Sequence, residues 1–149
     1  MGIAKHRKLD EKLSFMNYLF DKKIKIIQET ILELGLDLKN KTILTEVGSN
    51  NYLYTPLIPL LANAKKVYAW TADSRYGPGI EIKRKVMSIA QKLGLTDKLV
   101  VEVNKKVVNQ IEESDIITNS GFLRPLDENF LKHTKKDVAI PLMFEKWEL

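Results

Sequence analysis

An alternation of strand-like and helix-like segments from residue 40 onward is the feature that most constrains the fold of this chain. Short runs rich in β-branched and other apolar residues, which are typical of buried strands, recur along it. Turn residues or segments with helical spacing of apolar residues separate these runs. The predicted strands cover residues 41–47, 66–71, 98–103, 115–118 and 138–144.

Helices of crossover length are predicted between these strands, over 52–63, 80–93 and 105–112, and Asp127 can cap a brief fourth helix. Pro59 does not fit the interior of the first helix and is expected to kink or delay it. Right-handed crossovers of this kind produce a parallel sheet with helices on both faces. We predict an α/β fold, a three-layer Rossmann-like sandwich with a mostly parallel five-stranded sheet in the order 3-2-1-4-5 and a crevice at the carboxyl ends of strands one and four.

A long amphipathic helix is predicted ahead of the sheet. Apolar residues from Leu9 to Leu34 recur at three- and four-residue steps, and Gly35 supplies a stop. The apolar face of this helix is a candidate homodimer interface. The predicted organisation is a flexible basic lead over residues 1–8, followed by a single Rossmann-like domain over 9–149 that contains the helix at 9–35 and a nucleotide-binding core at 40–144.

Composition excludes several classes of function. The 149 residues contain no cysteine and two histidines, so a thiolate nucleophile, a disulfide scaffold and a metal centre are not expected. No stretch approaches the roughly 20 apolar residues that cross a bilayer, and no apolar signal core follows the charged start of the chain. The formal charge is +5, but basic residues do not interleave with aromatic ones, so we expect no nucleic-acid partner. These features indicate a cytoplasmic protein without a membrane partner.

The turn after the first predicted strand is the best candidate for a ligand site. A strand that ends in glycine before a tight turn and a helix can present free backbone N–H groups to a pyrophosphate. Gly48, Asn50 and Leu53 occupy the three positions of the G-x-G-x-x-G fingerprint, so only its first glycine is present. Asn tolerates a left-handed backbone and can serve at position 50. We predict that the N–H groups of Ser49, Asn50 and Asn51 bind pyrophosphate.

Several segments resemble the cofactor domains of NAD(P)-dependent dehydrogenases. Residues 35–44 are similar to the start of that domain in methylenetetrahydrofolate dehydrogenases, shikimate dehydrogenases and adenosylhomocysteinases. The Gly48-Ser49-Asn50 turn is similar to the turn of the first family, with one residue fewer. Residues 113–122 and 130–141 resemble later strand-and-loop segments of these domains, so the likeness covers residues 35–144, most of the chain.

This resemblance implies an NAD(P)-binding, dehydrogenase-like domain with a dinucleotide cofactor. It places Asn119, Ser120 and Gly121 near the nicotinamide ribose. In the resembled families most catalytic side chains come from a second domain, which agrees with the absence of a catalytic constellation in this sequence. The chain is therefore expected to be a fragment or a subunit of an oxidoreductase whose catalytic half lies elsewhere, and its catalytic residues are unknown.

The end of the second strand distinguishes NAD from NADP. An acidic side chain there accepts the ribose 2′-OH of NAD, whereas Arg with Ser or Thr suits the 2′-phosphate of NADP. Thr71 is followed by Asp73, Ser74 and Arg75, a loop similar to the serine–arginine loops of NADP-using relatives. We predict NADP as the preferred cofactor, while Asp73 leaves NAD open. The alternative is a solvent-exposed turn in which Asp73 only caps a helix.

A second resemblance leads to a different cofactor. Glu46 and Gly48 before a helix resemble the acidic-x-Gly start of S-adenosylmethionine-dependent methyltransferases, and residues 94–101 look like their third strand. Thr71 and Asn104, however, stand where these enzymes have acids after the second and third strands. A methyltransferase that binds S-adenosylmethionine is therefore the alternative hypothesis. A non-catalytic Rossmann-like interaction module is the third.

Overall fold

The computed structural model describes residues 2–118 and 127–141. The chain divides into two compact units, residues 1–36 and residues 37–149. The first unit contains one helix, α1, over Gly2–Glu33. Residues 2–8 are helical, and the flexibility predicted for residues 1–8 stays a prediction. Alanine, lysine and arginine in that segment are good helix formers.

The predicted stop of this helix at Gly35 is confirmed. Gly35 has a φ of 59°, in the left-handed region. Its N–H donates to the Leu32 carbonyl at 3.1 Å, and the N–H of Leu36 donates to the Ile31 carbonyl at 3.0 Å. This pair of hydrogen bonds is the Schellman arrangement, which satisfies carbonyl groups that the last helical turn leaves without partners.

The second unit is built on a parallel sheet. Its strands are β1 (Thr42–Glu46), β2 (Lys66–Thr71), β3 (Leu99–Val103) and β4 (Ile116–Ile117). Their spatial order is β3-β2-β1-β4, and each neighbouring pair is parallel. The predicted order of the first four strands is therefore confirmed. A sheet in which the chain moves outward from β1 in both directions is Rossmann-like.

Helices cover both faces of this sheet. They are α2 (Leu57–Leu61), α3 (Gly79–Lys92), α4 (Val108–Glu113) and α5 (Glu128–Leu131), the last capped by Asp127 as predicted. Gly79 of α3 lies against the side chains of Thr71 and Val103, whereas Ile111 of α4 packs in a core cluster that contains Tyr68. Because Tyr68 and Thr71 point to opposite faces of β2, the two helices form separate layers, so the predicted three-layer arrangement is confirmed.

The connection after β1 differs from the helix predicted over 52–63. A 3₁₀ helix over Asn50–Tyr54 comes first, and α2 begins only at Leu57. This delay places Pro59 in the first turn of α2, where a backbone N–H would have no intrahelical acceptor. The proline thus accounts for the delay that the sequence predicted.

The described sheet has four strands, not the five that the sequence predicted. Instead of a strand over 138–144, Ala139 makes one isolated parallel bridge with Ile116. The Ile117 N–H donates to the Ala139 carbonyl at 2.9 Å, and the Ala139 N–H donates to the Asp115 carbonyl at 3.0 Å. The bridge lies beside β4, where the order 3-2-1-4-5 puts the fifth strand. Residues 142–144 lie outside the described residues.

Asp115, just before β4, connects this strand to the start of β1 and to the segment before Ala139. Its Oδ2 accepts a hydrogen bond from the N–H of Thr42 at 2.8 Å, and its Oδ1 accepts one from the Lys135 Nζ at 2.7 Å. The Lys135 ammonium and the Thr42 N–H stabilise the charged carboxylate, and they hold the pKa of Asp115 below its ordinary value. The carboxylate therefore links the start of β1 to the segment that leads to Ala139.

We expect Asp115→Asn to lower the free energy of unfolding at pH 7 by about 1 kcal/mol, because the charge-assisted hydrogen bond with Lys135 is lost. A lowered folded-state pKa stabilises the protein above the unfolded-state pKa, and this contribution disappears as pH falls through the folded-state value. The difference from wild type in urea unfolding should therefore shrink below about pH 4. The exposed Asp137→Asn is the control, and a difference that is independent of pH would contradict the assignment.

Candidate functional site

A cleft of about 480 Å³ opens at the carboxyl ends of β1 and β2. Its walls are the segment that follows β1 and the loop between β2 and α3. Ligands of open α/β sheets bind outside the carboxyl ends of the strands, so the cleft lies where the fold places a ligand. The residues that line it are Glu46, Gly48, Ser49, Asn50, Asn51, Tyr52, Thr71, Ala72, Ser74, Tyr76 and Ile82.

The turn after β1 is closed by hydrogen bonds through Tyr52. The Tyr52 carbonyl accepts from the N–H of Gly48 at 3.3 Å, and the Tyr52 N–H donates to the Ser49 carbonyl at 3.1 Å. A Cβ at position 48 would lie 3.1 Å from the Cβ of Tyr52, so glycine allows the 3₁₀ helix to pack closely on the strand end. Asn50 has a φ of 55°, in the left-handed region that asparagine tolerates.

This turn presents backbone donors to the cleft. The N–H groups of Ser49 and Asn50 stand at the start of the 3₁₀ helix, and neither donates to another described residue. Both residues line the cleft, as does Asn51. Successive N–H groups in a turn of this kind form a concave surface that can bind an anion. The structure thus brings together the three residues predicted to contact pyrophosphate, while the contact itself stays a prediction.

The loop after β2 contains a tight turn from Ser74 to Gly77. The Ser74 N–H donates to the Gly77 carbonyl at 3.1 Å, and the Gly77 N–H donates to the Ser74 carbonyl at 3.0 Å. The Ser74 hydroxyl accepts from the N–H of Tyr76 at 3.2 Å. Gly77 has a φ of 129°, in a region that side chains rarely tolerate. The turn therefore holds Ser74 and Tyr76 in fixed backbone positions beside the cleft.

The Asp73 carboxylate is engaged within this loop. Its Oδ1 accepts from the N–H of Gly79, the first residue of α3, at 2.8 Å. Its Oδ2 accepts from the Asn104 Nδ2 at 2.9 Å, and the Asn104 Oδ1 accepts from the Asp73 N–H at 2.8 Å. Asp73 is not among the residues that line the cleft. This geometry fits the capping role considered as an alternative for Asp73.

Arg75 lies on the exposed tip of the turn and packs on Tyr76. Its guanidinium carbon is 4.8 Å from the centre of the Tyr76 ring, and its Nη2 donates to the Tyr76 hydroxyl at 2.6 Å. Because a guanidinium carries five N–H donors, this contact leaves others for an anion. The structure thus places Arg75 next to a residue that lines the cleft, although Arg75 itself does not line it.

The remaining candidate residues from the sequence do not all lie at the cleft. Asn119, Ser120 and Gly121 lie outside the described residues. Glu46 is 2% exposed and lines the cleft at the end of β1. His133 lies elsewhere, with its Nδ1 3.2 Å from the Glu112 carboxylate. Within residues 2–118 and 127–141, no cluster of three or more metal-ligating side chains is found, and no helix has the length and apolar character to cross a membrane.

Tyr52, Tyr76 and Asn104 were not among the predicted site residues. The two tyrosines line the cleft and are 56% and 65% exposed, which is a property of the folded loops that spacing does not predict. Asn104 directly follows β3 and has a φ of 56°. An asparagine at a strand end is a turn signal, but its partner Asp73 is distant in sequence.

No protein-family model matches the chain, and no curated protein matches it significantly. Among solved structures, the chain is similar to a shikimate dehydrogenase from Aquifex aeolicus at 22% identity and a TM-score of 0.41, over 75% of this chain and 38% of that one. A putative tRNA methyltransferase from Streptococcus pneumoniae, in complex with S-adenosyl-L-methionine, is similar at 17% identity and a TM-score of 0.38, over 65% of this chain and 40% of that one.

A putative aspartate carbamoyltransferase from Leishmania major is similar at 16% identity and a TM-score of 0.43, over 74% of this chain and 39% of that one. The chain therefore spans less than half the length of each of these three proteins. Their names describe three different chemistries, and similarity at this level does not select one of them for this chain.

The hydrogen bonds between Asp73 and Asn104 can be tested with two substitutions at Asn104. Asn104→Gly removes the side-chain bonds but suits the positive φ, whereas Asn104→Ala also strains the backbone. We expect the glycine variant to lose about 1 kcal/mol in the free energy of unfolding, and the alanine variant about 1 kcal/mol more. Urea denaturation measures both values.

Asn63→Gly is the matched control, because Asn63 also has a positive φ, 69°, and its side chain is exposed. That control should lose little stability. Equal stability of wild type and both Asn104 variants would contradict a structural role for the Asp73–Asn104 hydrogen bonds.

Proposed function

We propose that the unit after residue 36 binds a nucleotide-type cofactor in the cleft, with NADP(H) as the preferred dinucleotide. The observation that carries this proposal is the engagement of the Asp73 carboxylate by Gly79 and Asn104. With that acid engaged by hydrogen bonds, Ser74, which lines the cleft, and Arg75, which lies beside it, are the groups of this loop that could contact a 2′-phosphate. A hydroxyl and a guanidinium suit a 2′-phosphate, whereas NAD recognition uses a carboxylate on the ribose 2′-OH.

The turn after β1 supports the same orientation of the ligand. The N–H groups of Ser49 and Asn50 would donate to the pyrophosphate, with Asn51 beside them. The adenosine half would then lie against the loop after β2, and the nicotinamide half would extend towards the end of β4, which neighbours β1 on its other side. The proposed contact of the nicotinamide ribose with Asn119, Ser120 and Gly121 belongs to this orientation.

We assign cofactor binding to the cleft. The catalytic side chains would come from outside it. Of the residues that line it, only Glu46, Tyr52 and Tyr76 have titratable side chains. A general acid or base must lie within hydrogen-bond reach of the proton that it moves. We therefore propose that the substrate-binding and catalytic groups of an oxidoreductase would come from a second domain or a partner subunit.

Arg75→Ala tests the 2′-phosphate assignment. We expect the affinity for NADPH to fall about tenfold or more, because a charge-assisted hydrogen bond is lost, while the affinity for NADH, which has no 2′-phosphate, falls by less. Isothermal titration calorimetry gives both dissociation constants. Arg84→Ala is the control, since Arg84 is an exposed α3 cation paired with Glu81 and outside the cleft lining. An unchanged NADPH affinity in Arg75→Ala would show that the assignment is wrong.

A methyltransferase is the second candidate, and Glu46 is the observation that favours it. This buried acid ends β1 two residues before Gly48, where a carboxylate would suit the ammonium group of S-adenosylmethionine. Thr71 and Asn104 supply no acid at the ends of β2 and β3, which favours NADP(H) instead.

Titration with S-adenosylhomocysteine separates the two candidates. We expect weaker binding of S-adenosylhomocysteine than of NADPH by wild type. Tight binding that is lost in Glu46→Gln, together with no binding of a dinucleotide, would decide for the methyltransferase.

A further inference from the structure

Two tyrosines with largely exposed side chains line the cleft from the loops that form its walls. Tyr52 follows β1 and Tyr76 follows β2, and they are 56% and 65% exposed. We propose that these rings are a stacking platform for a planar heteroaromatic base of the adenine type. The inference rests on the proposed nucleotide function and adds to it the residues that recognise the base.

The position of Tyr52 is fixed by its own backbone. Its carbonyl accepts from the N–H groups of Gly48 at 3.3 Å and Thr55 at 3.4 Å, while its N–H donates to the Ser49 carbonyl at 3.1 Å. The close approach to Gly48 holds the Cβ of Tyr52 against the end of β1. The aromatic ring is thus carried on a braced turn, although the ring itself remains open to solvent.

The position of Tyr76 is fixed by the Ser74–Gly77 turn and by Arg75. The ring packs with the Arg75 guanidinium at 4.8 Å, and its hydroxyl accepts from the same side chain at 2.6 Å. A guanidinium plane and an aromatic ring are the two kinds of surface on which nucleotide bases stack. Two loops from neighbouring strands therefore offer preorganised flat surfaces to one cleft.

The chemistry of these side chains favours a base over the other parts of a nucleotide. Phosphate groups are served by the backbone N–H groups of the β1 turn and by the Arg75 guanidinium. The faces of tyrosine rings carry no positive charge and suit an apolar, planar partner. The cleft volume of about 480 Å³ is within the range of small-molecule sites. The base would therefore stack on the tyrosine rings, while the phosphates would bind the N–H groups and the guanidinium.

The test uses AMP, adenosine 2′,5′-bisphosphate, NADPH and base-free pyrophosphate as probes in calorimetric titrations. We expect Tyr52→Leu and Tyr76→Leu each to weaken binding of the adenine-containing probes about tenfold, and to leave pyrophosphate binding unchanged. Tyr52→Phe and Tyr76→Phe should bind like wild type, because the ring is retained. The control is Tyr18→Leu, which removes an exposed tyrosine of α1 that does not line the cleft.

AMP separates the effect on base stacking from the effect on Arg75, because AMP has no 2′-phosphate. If wild type binds NADPH and the leucine variants bind every probe equally well, the stacking platform is wrong and the proposed function stands. If wild type binds AMP as tightly as the 2′,5′-bisphosphate, and the leucine variants lose this binding, the platform is supported and the preference for NADP is wrong. Binding of no adenine-containing probe by wild type would overturn both.

Discussion

The Asp73 carboxylate is the interaction on which the candidate site depends. It joins the end of β2 to the first N–H of α3 and to the Asn104 side chain after β3. The same hydrogen bonds that order these three elements also occupy the carboxylate of the loop after β2. A structural requirement of the fold therefore shapes the chemistry beside the cleft, since this loop offers the Ser74 hydroxyl in the cleft lining and the Arg75 guanidinium next to it.

The cleft combines two opposing electrostatic features. Backbone donors at Ser49 and Asn50, together with Arg75 on the opposite loop, favour an anionic ligand. Glu46, buried at the end of β1, would in its charged form favour a cationic group and repel a pyrophosphate that came close to it. The identity of the cofactor thus depends on which of these features the ligand contacts. The engaged state of Asp73 is the reason to favour NADP(H), and the position of Glu46 is the reason to keep S-adenosylmethionine as the alternative.

Local rules predicted much of the fold because the relevant residues act on their immediate neighbours. Pro59 delays α2, Gly35 ends α1 and Asp127 caps α5, each through its own backbone or the next turn. The alternation of strands and helices was enough to predict the order of the four strands. The helix predicted from residue 9 begins at Gly2 in the structure, since the alanine, lysine and arginine residues of 2–8 favour a helix. The described residues do not show the fifth strand, and Ala139 makes an isolated bridge to Ile116 of β4 at the predicted place.

The candidate site was less predictable because its decisive contacts are distant in sequence. Either role of Asp73, as a ribose acceptor or a cap, is compatible with its place after a strand. Asn104, 31 residues away, holds one carboxylate oxygen, and the N–H of Gly79 holds the other. The exposure of Tyr52 and Tyr76 likewise depends on how two loops fold, and the periodicity of the sequence does not predict it. By contrast, the left-handed backbone of Asn50 was predictable, since it is a property of asparagine itself.

Thermal unfolding of the wild-type protein with NADPH, NADH, S-adenosylmethionine or no ligand tests the central claim most directly. A ligand at 100 times its dissociation constant adds about 2.7 kcal/mol to the free energy of unfolding, which is readily measured as a rise in Tm. The account predicts a selective rise with NADPH. The absence of a rise with all three ligands would contradict it and favour a Rossmann-like interaction module that binds no nucleotide.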